Sequence, residues 1–149
     1  MSSISSTLEH LAFTRLDQIE SRLTSSRRTI LGILESAGKP MTVTDIAAQA
    51  DTLVQSSLYR NLTVLEKAHL VTRIVNEHEF AFFELDEHVL GHHHHLRCTI
   101  CGNVIDIELS RDTEKLLEHS ARKIAKSHKF SDVEHHLDFT GVCLRCCSL

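Results

Sequence analysis

Five cysteines in a chain of 149 residues include two Cys-x-x-Cys pairs, Cys98 with Cys101 and Cys143 with Cys146, separated by 41 residues. Each pair places two thiolates within reach of one ion, and two such pairs complete a tetrahedral four-thiolate zinc site. A redox-active Cys-x-x-Cys pair is the alternative, and two matched pairs favour zinc. Cys147 could replace its neighbour Cys146, although its Cys-x-x-x-Cys spacing to Cys143 favours Cys146. The spacing therefore predicts a structural Zn²⁺ site at Cys98, Cys101, Cys143 and Cys146.

Four consecutive histidines, His92 to His95, are the second candidate metal-binding feature. On an extended strand successive side chains face opposite sides, so His92 and His94 share one face while His93 and His95 share the other. The run can therefore contribute to two different metal sites, each of which needs further donors from elsewhere in the chain. A solvated polyhistidine loop is the alternative interpretation.

The elements of the first half are predicted to be mostly helical. The predicted helices run from Ser5 to Leu23, from Thr24-Ser25-Ser26 to Gly38, from a cap at Thr42 or Thr44 through Ala50, and from Ser56 to His69. Strands from Val71 to Val75 and from Phe80 to Leu85 follow. Three helices and a hairpin are the order of a winged helix-turn-helix domain, here preceded by one extra helix. An ordinary helical bundle with a hairpin is the alternative.

The second half reads as a small α/β domain. Its predicted elements are a strand from Asn103 to Leu109, a helix from Asp112 to His128 and a strand from Val133 to Phe139. The fold class is therefore α+β. The predicted organisation is a winged-helix domain at 1–85, a hinge at 86–91 and a metal-binding domain at 92–149.

Charge is distributed unevenly along the chain. The net charge is −4, but residues 22–73 carry seven basic and four acidic side chains, whereas the remainder has a net charge of −7. A positive segment of this kind suits contact with phosphate by one face. No signal peptide pattern and no long apolar run is visible, so we expect a cytoplasmic protein without a membrane span. In that reducing compartment paired cysteines more often bind metal than form disulfides.

Taken together, these motifs resemble the ferric uptake regulator (Fur) family over nearly the whole chain. The resemblance rests on Leu23 to Arg27, Ser57 to Leu62, His92 to Asp106, and Phe130 to Cys146 with His135 eight residues before Cys143. It implies a homodimeric repressor rather than an enzyme, which binds an inverted-repeat operator in double-stranded DNA when loaded with metal. It also assigns dimerisation to 92–149. The DNA-contacting residues that it implies are Arg27, Ser57, Tyr59 and Arg60. A core position is the alternative for Tyr59.

The resemblance also implies two regulatory metal sites. One lies in the dimerisation domain and maps to His92, His94, Glu118 and His135. Glu118 follows from the family spacing of 17 residues before His135, and Glu114, one helical turn earlier, is the competing carboxylate. The other, a sensing site at the hinge, maps to Glu84, Asp86, His93, His95 and Asp106. Two positions depart from the pattern, Pro40 and Thr72, so His69, His78 or His88 are further candidates there.

The regulatory metal stays open between Zn²⁺ and Fe²⁺, with Mn²⁺ as a third candidate, because imidazole and carboxylate donors suit all three. The expected function is control of zinc or iron uptake genes. Asp106 resembles peroxide-sensing relatives, which makes peroxide sensing an alternative. Two further alternatives belong to other classes: a thiol oxidoreductase that uses the Cys-x-x-Cys pairs, and a metal-storage protein.

Overall fold

The computed structural model describes residues 4–147 and separates the chain into two compact units, Met1–His92 and His93–Leu149. The segment predicted as a hinge, 86–91, belongs to the first of these units. It contains a short helix, and Val89 packs partly buried against the core of the first unit. Among the described residues, no helix is long and apolar enough to cross a membrane.

The first unit contains five helices and three strands within the described residues. They are α1 (Ser6–Gln18), α2 (Ser25–Ala37), β1 (Met41–Thr42), α3 (Val43–Gln49), α4 (Gln55–Lys67), β2 (Val71–Val75), β3 (Ala81–Leu85) and α5 (Glu87–Leu90). The strands form an antiparallel sheet in the order β1-β3-β2. The α2-β1-α3-α4-β2-β3 order is that of a winged helix, so this prediction is confirmed, with α1 as the extra helix.

Local capping explains where these helices begin and end. Thr24 accepts a hydrogen bond from the Arg27 amide at the start of α2, and Gly38 ends that helix in a left-handed conformation with φ 56°. Thr42 and Asp45 form a capping box at α3. The predicted α1 was too long, because Glu20 takes φ 54° and the Ser21 amide bonds back to the Leu16 carbonyl. This is a Schellman-type ending, and it stops the helix before Leu23.

The core of the first unit is apolar and continuous. Its fully buried side chains include Leu16 of α1, Ile30 of α2, and Leu58 and Leu65 of α4. The helix periodicity used to predict these elements reflects this burial, because each helix presents one apolar face inward. The opposite face of α4 is consequently left to solvent.

The second unit is built on a three-stranded sheet. Its described elements are β4 (His94–Cys98), β5 (Val104–Ile107), α6 (Arg111–His128), β6 (Asp138–Gly141) and α7 (Leu144–Cys147). The sheet order is β5-β4-β6, with β4 antiparallel to β5 and parallel to β6. The central strand β4 therefore carries His94 and His95, the last two residues of the histidine run, between two neighbouring strands.

One predicted strand of this unit was wrong over most of its length. Residues 133–137 alternate between half-buried and exposed side chains as predicted, but they have no strand assignment, and the ladder to β4 starts only at Asp138. An alternating pattern reports which side chains turn inward, whereas a strand also needs a backbone partner. His135 therefore lies in an irregular segment.

Candidate metal centres and nucleic-acid interface

The two Cys-x-x-Cys pairs meet because parallel strand pairing brings their ends together. Cys98 is the last residue of β4, and its register partner in β6 is Gly141, two residues before Cys143. Gly102, with φ 71°, closes a turn in which its amide bonds to the Cys98 carbonyl, and this turn places Cys101 beside Cys98. The short helix α7 then carries Cys146.

The four sulfurs are spaced as ligands of one ion. All lie within 4.8 Å of one another, and the Sγ atoms of Cys101 and Cys143 are 3.8 Å apart. Four sulfurs placed tetrahedrally at about 2.3 Å from zinc would be about 3.8 Å apart. All five cysteines are free thiols, so no disulfide competes for these sulfurs. The donor set and its spacing fit a structural zinc ion.

The pKa values of two of these thiols are shifted in opposite directions. Hydrogen bonds from the backbone amides of Cys101 and Cys143 lower the pKa of Cys98 to about 6. Side-chain hydrogen bonding to Cys143 raises the pKa of Cys146 to about 12. Cys98 therefore forms a thiolate readily whereas Cys146 resists ionisation, and a bound divalent ion would favour the thiolate form of both. Cys147 is exposed and outside the cluster.

A second group of donors lies on one face of β4. His94 is 2% exposed, its Nε2 lies 2.8 Å from the Glu114 carboxylate, and the His135 Nε2 lies 3.6 Å from the same carboxylate. The two imidazole rings stack with their centroids 5.5 Å apart. His92, the fourth residue of the predicted set, is the last residue of the first unit, where its Nδ1 lies 3.2 Å from Glu87.

The carboxylate in this group is Glu114, and the expectation of Glu118 is corrected. Both residues are on α6, but Glu118 lies one turn further along, where it pairs with Arg122 at 3.3 Å and its side chain is 61% exposed. Counting back from His135 failed because the chain between α6 and His135 is irregular, so the number of residues does not determine which turn of α6 lies beside His135. Those residues have no fixed rise per residue.

The opposite face of the sheet carries a third group. His95 pairs in register with Asp106 on β5 and with Asp138 on β6. Its Nε2 is 3.8 Å from Asp106, and its Nδ1 is 3.4 Å from Asp138. The His93 ring meets the His95 ring edge to face, with centroids 5.1 Å apart. His93, His95 and Asp106 therefore lie together, as the alternation of the run requires.

The remaining predicted donors of the sensing site lie in the first unit. Glu84 is 2% exposed on β3, opposite Thr72. Asp86 accepts hydrogen bonds from the Thr72 hydroxyl at 2.9 Å and from the backbone of His88, which makes it the cap of α5. Burial alone would raise the pKa of Asp86, but the hydrogen bonds from His88 and Thr72 outweigh burial and lower it. Pro40 is buried at the start of the sheet, while His69 and His78 are exposed in turns.

The helix α4 presents two of the predicted DNA-contacting side chains to solvent, and a third, Ser57, is half-buried. Tyr59 is 50% exposed and Arg60 is exposed, whereas Leu58 between Ser57 and Tyr59 is buried. The alternative of a core position for Tyr59 is therefore excluded. Aromatic and guanidinium groups on the exposed face of such a helix are suited to contacts with bases and phosphates.

Arg27 has a role that the sequence did not predict. Its guanidinium donates to the Asn61 side chain at 3.2 Å, to the Ser21 hydroxyl at 2.9 Å and to the Arg22 carbonyl. Asn61 in turn donates to the Ser57 carbonyl at 2.9 Å. Burial lowers the pKa of Arg27. Arg27 therefore ties the loop before α2 to α4, and Asn61, which its helical spacing from Ser57 could have indicated, completes the link.

Comparison with known proteins agrees with this combination of a winged helix and clustered metal donors. The sequence is 29% identical over 145 residues to the Ferric uptake regulation protein of Bacillus subtilis (strain 168), which covers 89% of this chain and 94% of that protein. A zinc-bound manganese uptake regulator is 30% identical, with a TM-score of 0.65 over 93% of this chain and 100% of that one. The Ferric uptake regulator from Pseudomonas aeruginosa with manganese is 27% identical, with a TM-score of 0.69 over 89% of this chain and 98% of that one.

The profile of the Ferric uptake regulator family matches residues 18–140. That span includes the whole winged helix from α2 onward, the histidine run and the first Cys-x-x-Cys pair. The chain belongs to the Ferric uptake regulator family.

Proposed function

We propose that this metal-responsive regulator is a cytoplasmic homodimeric repressor that binds an inverted-repeat operator and controls zinc or iron uptake genes. The observation that carries the proposal is the division of donors across β4. His94 with Glu114 and His93 with His95 and Asp106 form two separate groups on opposite faces of one sheet, beside a four-cysteine group. A metal-storage protein would not need an exposed DNA-contacting helix such as α4 in addition to these metal donors.

The donor sets suggest different roles for the three groups. The four sulfurs suit a permanent zinc ion, because four thiolates form a closed site without an open position. The other two groups offer only imidazole and carboxylate donors. Such donors suit Zn²⁺, Fe²⁺ and Mn²⁺ alike, so these two sites are better suited to reversible metal binding than the four-thiolate site. We assign the regulatory response to the group around His95, with Glu84 or Asp86 of the first unit as the proposed additional ligand.

The proposed mechanism is thermodynamic linkage between metal and DNA. An ion that takes ligands from both units would restrict their relative orientation and favour the arrangement in which two α4 helices of a dimer reach successive major grooves. The metal can shift this equilibrium only by its differential affinity for the two states. A coupling typical of allosteric proteins would change operator affinity about 5- to 150-fold.

The test is DNA binding measured by fluorescence anisotropy at fixed salt, on an AT-rich inverted repeat, with Zn²⁺, Fe²⁺ or Mn²⁺ under anaerobic conditions. We expect metal to tighten binding and His95→Ala to abolish that gain. His136→Ala is the matched control, since His136 is exposed and outside the three donor groups. Equal affinity with and without every metal would contradict the proposal. A loss of binding with Fe²⁺ after peroxide treatment would favour the peroxide-sensing alternative.

A further inference from the structure

Asp138 occupies a position that the ligand predictions did not include. It is the first residue of β6 and the register partner of His95, which has Asp106 as its partner on the other side. Directly opposed residues project from the same face of a sheet, so one row across the three strands reads Asp106, His95, Asp138. A single imidazole is thus flanked by two carboxylates.

The two carboxylates face different nitrogens of that imidazole. Asp106 is 3.8 Å from Nε2, which is too long for a hydrogen bond, whereas two ligands held at about 2.1 Å from one tetrahedral ion would be about 3.4 Å apart. Asp138 is 3.4 Å from Nδ1, at the long end of the hydrogen-bond range. The ligand atoms of His93, His95 and Asp106 lie within 4.8 Å of one another, and Asp138 does not belong to this group, so Nε2 is assigned to the metal and Nδ1 to the second carboxylate.

Arg97 holds the second carboxylate in place. Its guanidinium lies 2.9 Å from the other Asp138 oxygen, and it projects from the same face of β4 as His95, two residues away. The side chains of Arg97 and Asp138 are 21% and 36% exposed, so the pair is partly shielded from water. One oxygen of Asp138 thus serves Arg97 and the other faces His95.

We propose that Asp138 is a positioning residue of the regulatory site. It accepts the Nδ1–H of His95, fixes the tautomer in which Nε2 carries no proton, and directs the Nε2 lone pair toward the ion shared with Asp106. Such outer carboxylates typically orient histidine ligands and raise their basicity. This inference rests on the proposed function, because it assumes that His95 is a ligand of the regulatory site.

The first measurement requires no metal at this site. In protein that retains zinc at the four-cysteine site, long-range ¹H–¹⁵N correlation spectra report which nitrogen of His95 carries the proton. We expect the Nδ1–H form in the wild type and a shift toward the Nε2–H form in Asp138→Ala. Asp138→Asn keeps an acceptor oxygen and should retain the wild-type tautomer. Thr140→Ala changes another exposed side chain of β6 and leaves the carboxylate in place, so it controls for disturbed strand pairing.

The second measurement is titration with Co²⁺ followed by its visible absorption. We expect Asp138→Ala to weaken binding at the His95 site about 10- to 100-fold, with an unchanged spectrum at saturation. Asp138→Asn should lose less. An unchanged tautomer and affinity in Asp138→Ala would overturn the proposal, and so would an equal loss in Thr140→Ala. An altered spectrum at saturation would make Asp138 a direct ligand and also overturn it.

Asp106→Ala separates this proposal from the function on which it rests. If Asp106→Ala and His95→Ala both bind Co²⁺ as the wild type does, the regulatory site itself is misplaced. If they lose Co²⁺ while Asp138→Ala does not, the site stands and only the positioning role of Asp138 fails.

Discussion

Cys147 provides a matched control for the four clustered sulfurs, because it adjoins Cys146 without belonging to the cluster. We predict that Cys143→Ser loses the structural zinc and unfolds at lower temperature, whereas Cys147→Ser keeps one zinc per chain. Metal binding to sites of this kind contributes about 10–16 kcal/mol in small zinc domains, and removal of one ligand would reduce this contribution. Metal analysis and thermal unfolding followed by circular dichroism provide the readouts. Retained zinc and an unchanged unfolding temperature in Cys143→Ser would contradict the assignment.

Two glutamates one turn apart on α6 have different expected roles: Glu114 as a metal ligand and Glu118 as part of a surface ion pair. We predict that Glu114→Gln weakens metal binding beside His94 and His135, because its carboxylate oxygens lie 2.8 and 3.6 Å from the Nε2 atoms of these two residues. Glu118→Gln should leave metal binding unchanged and cost only the exposed pair with Arg122, about 0.3–0.5 kcal/mol. Competition titration with a chromogenic zinc chelator measures both affinities. The opposite ranking of the two variants would restore Glu118 as the ligand.

For helices and strands, features that depend on neighbouring residues were predicted from the sequence more successfully than features that depend on residues far apart in the chain. Capping residues such as Thr24 and Gly38 identified helix ends because their effect is confined to one turn. The histidine alternation was also predictable, since it follows from strand geometry alone. Asp138 was missed, and Glu114 was named only as the competing carboxylate, because their placement depends on how β6 pairs with β4 and how α6 approaches the sheet, which no local pattern encodes.

The hairpin of the winged helix carries charge of the wrong sign for a phosphate contact. Its turn contains exposed Glu77 and Glu79, while Asn76 fixes the turn by accepting hydrogen bonds from the amides of His78 and Phe80, both at 3.0 Å. The hairpin tip is therefore rigid and acidic. We infer that α4 supplies most of the DNA contact and that the hairpin tip stays away from the phosphates.

Neutralising the hairpin tip should therefore tighten DNA binding. A like charge costs about 1 kcal/mol at 4 Å in water and less at greater distance, so we predict a gain of a few-fold for Glu77→Gln at low salt. The gain should shrink as salt is raised, since the repulsion is screened. Asp112→Asn, an equivalent change on α6, should have little effect. If Glu77→Gln instead weakens binding, the tip makes a direct contact with a base or the sugar edge.

At the scale of the whole molecule, the second unit leaves much apolar surface exposed. Ile105 and Phe139 are 43% and 42% exposed, and both are register partners of Leu96, so they form one row across the sheet. On α6 only Ala121 is buried, while Leu116 is 68% exposed. Contiguous apolar surface of this kind marks an interaction site, and a second copy of the chain is the partner that the proposed inverted-repeat operator requires.

We therefore predict that Ile105→Asp together with Phe139→Asp shifts the protein toward monomers, because each buried carboxylate would lack a partner in the interface. Analytical ultracentrifugation over a concentration series measures the shift. Phe13→Ser is the control, since Phe13 is 64% exposed on the first unit and should leave the association constant unchanged. The double variant should also lose most of its affinity for the full inverted repeat while binding a single half-site as the wild type does, because each α4 remains intact. A double variant that stays dimeric with the wild-type association constant would place the interface on another surface of the second unit.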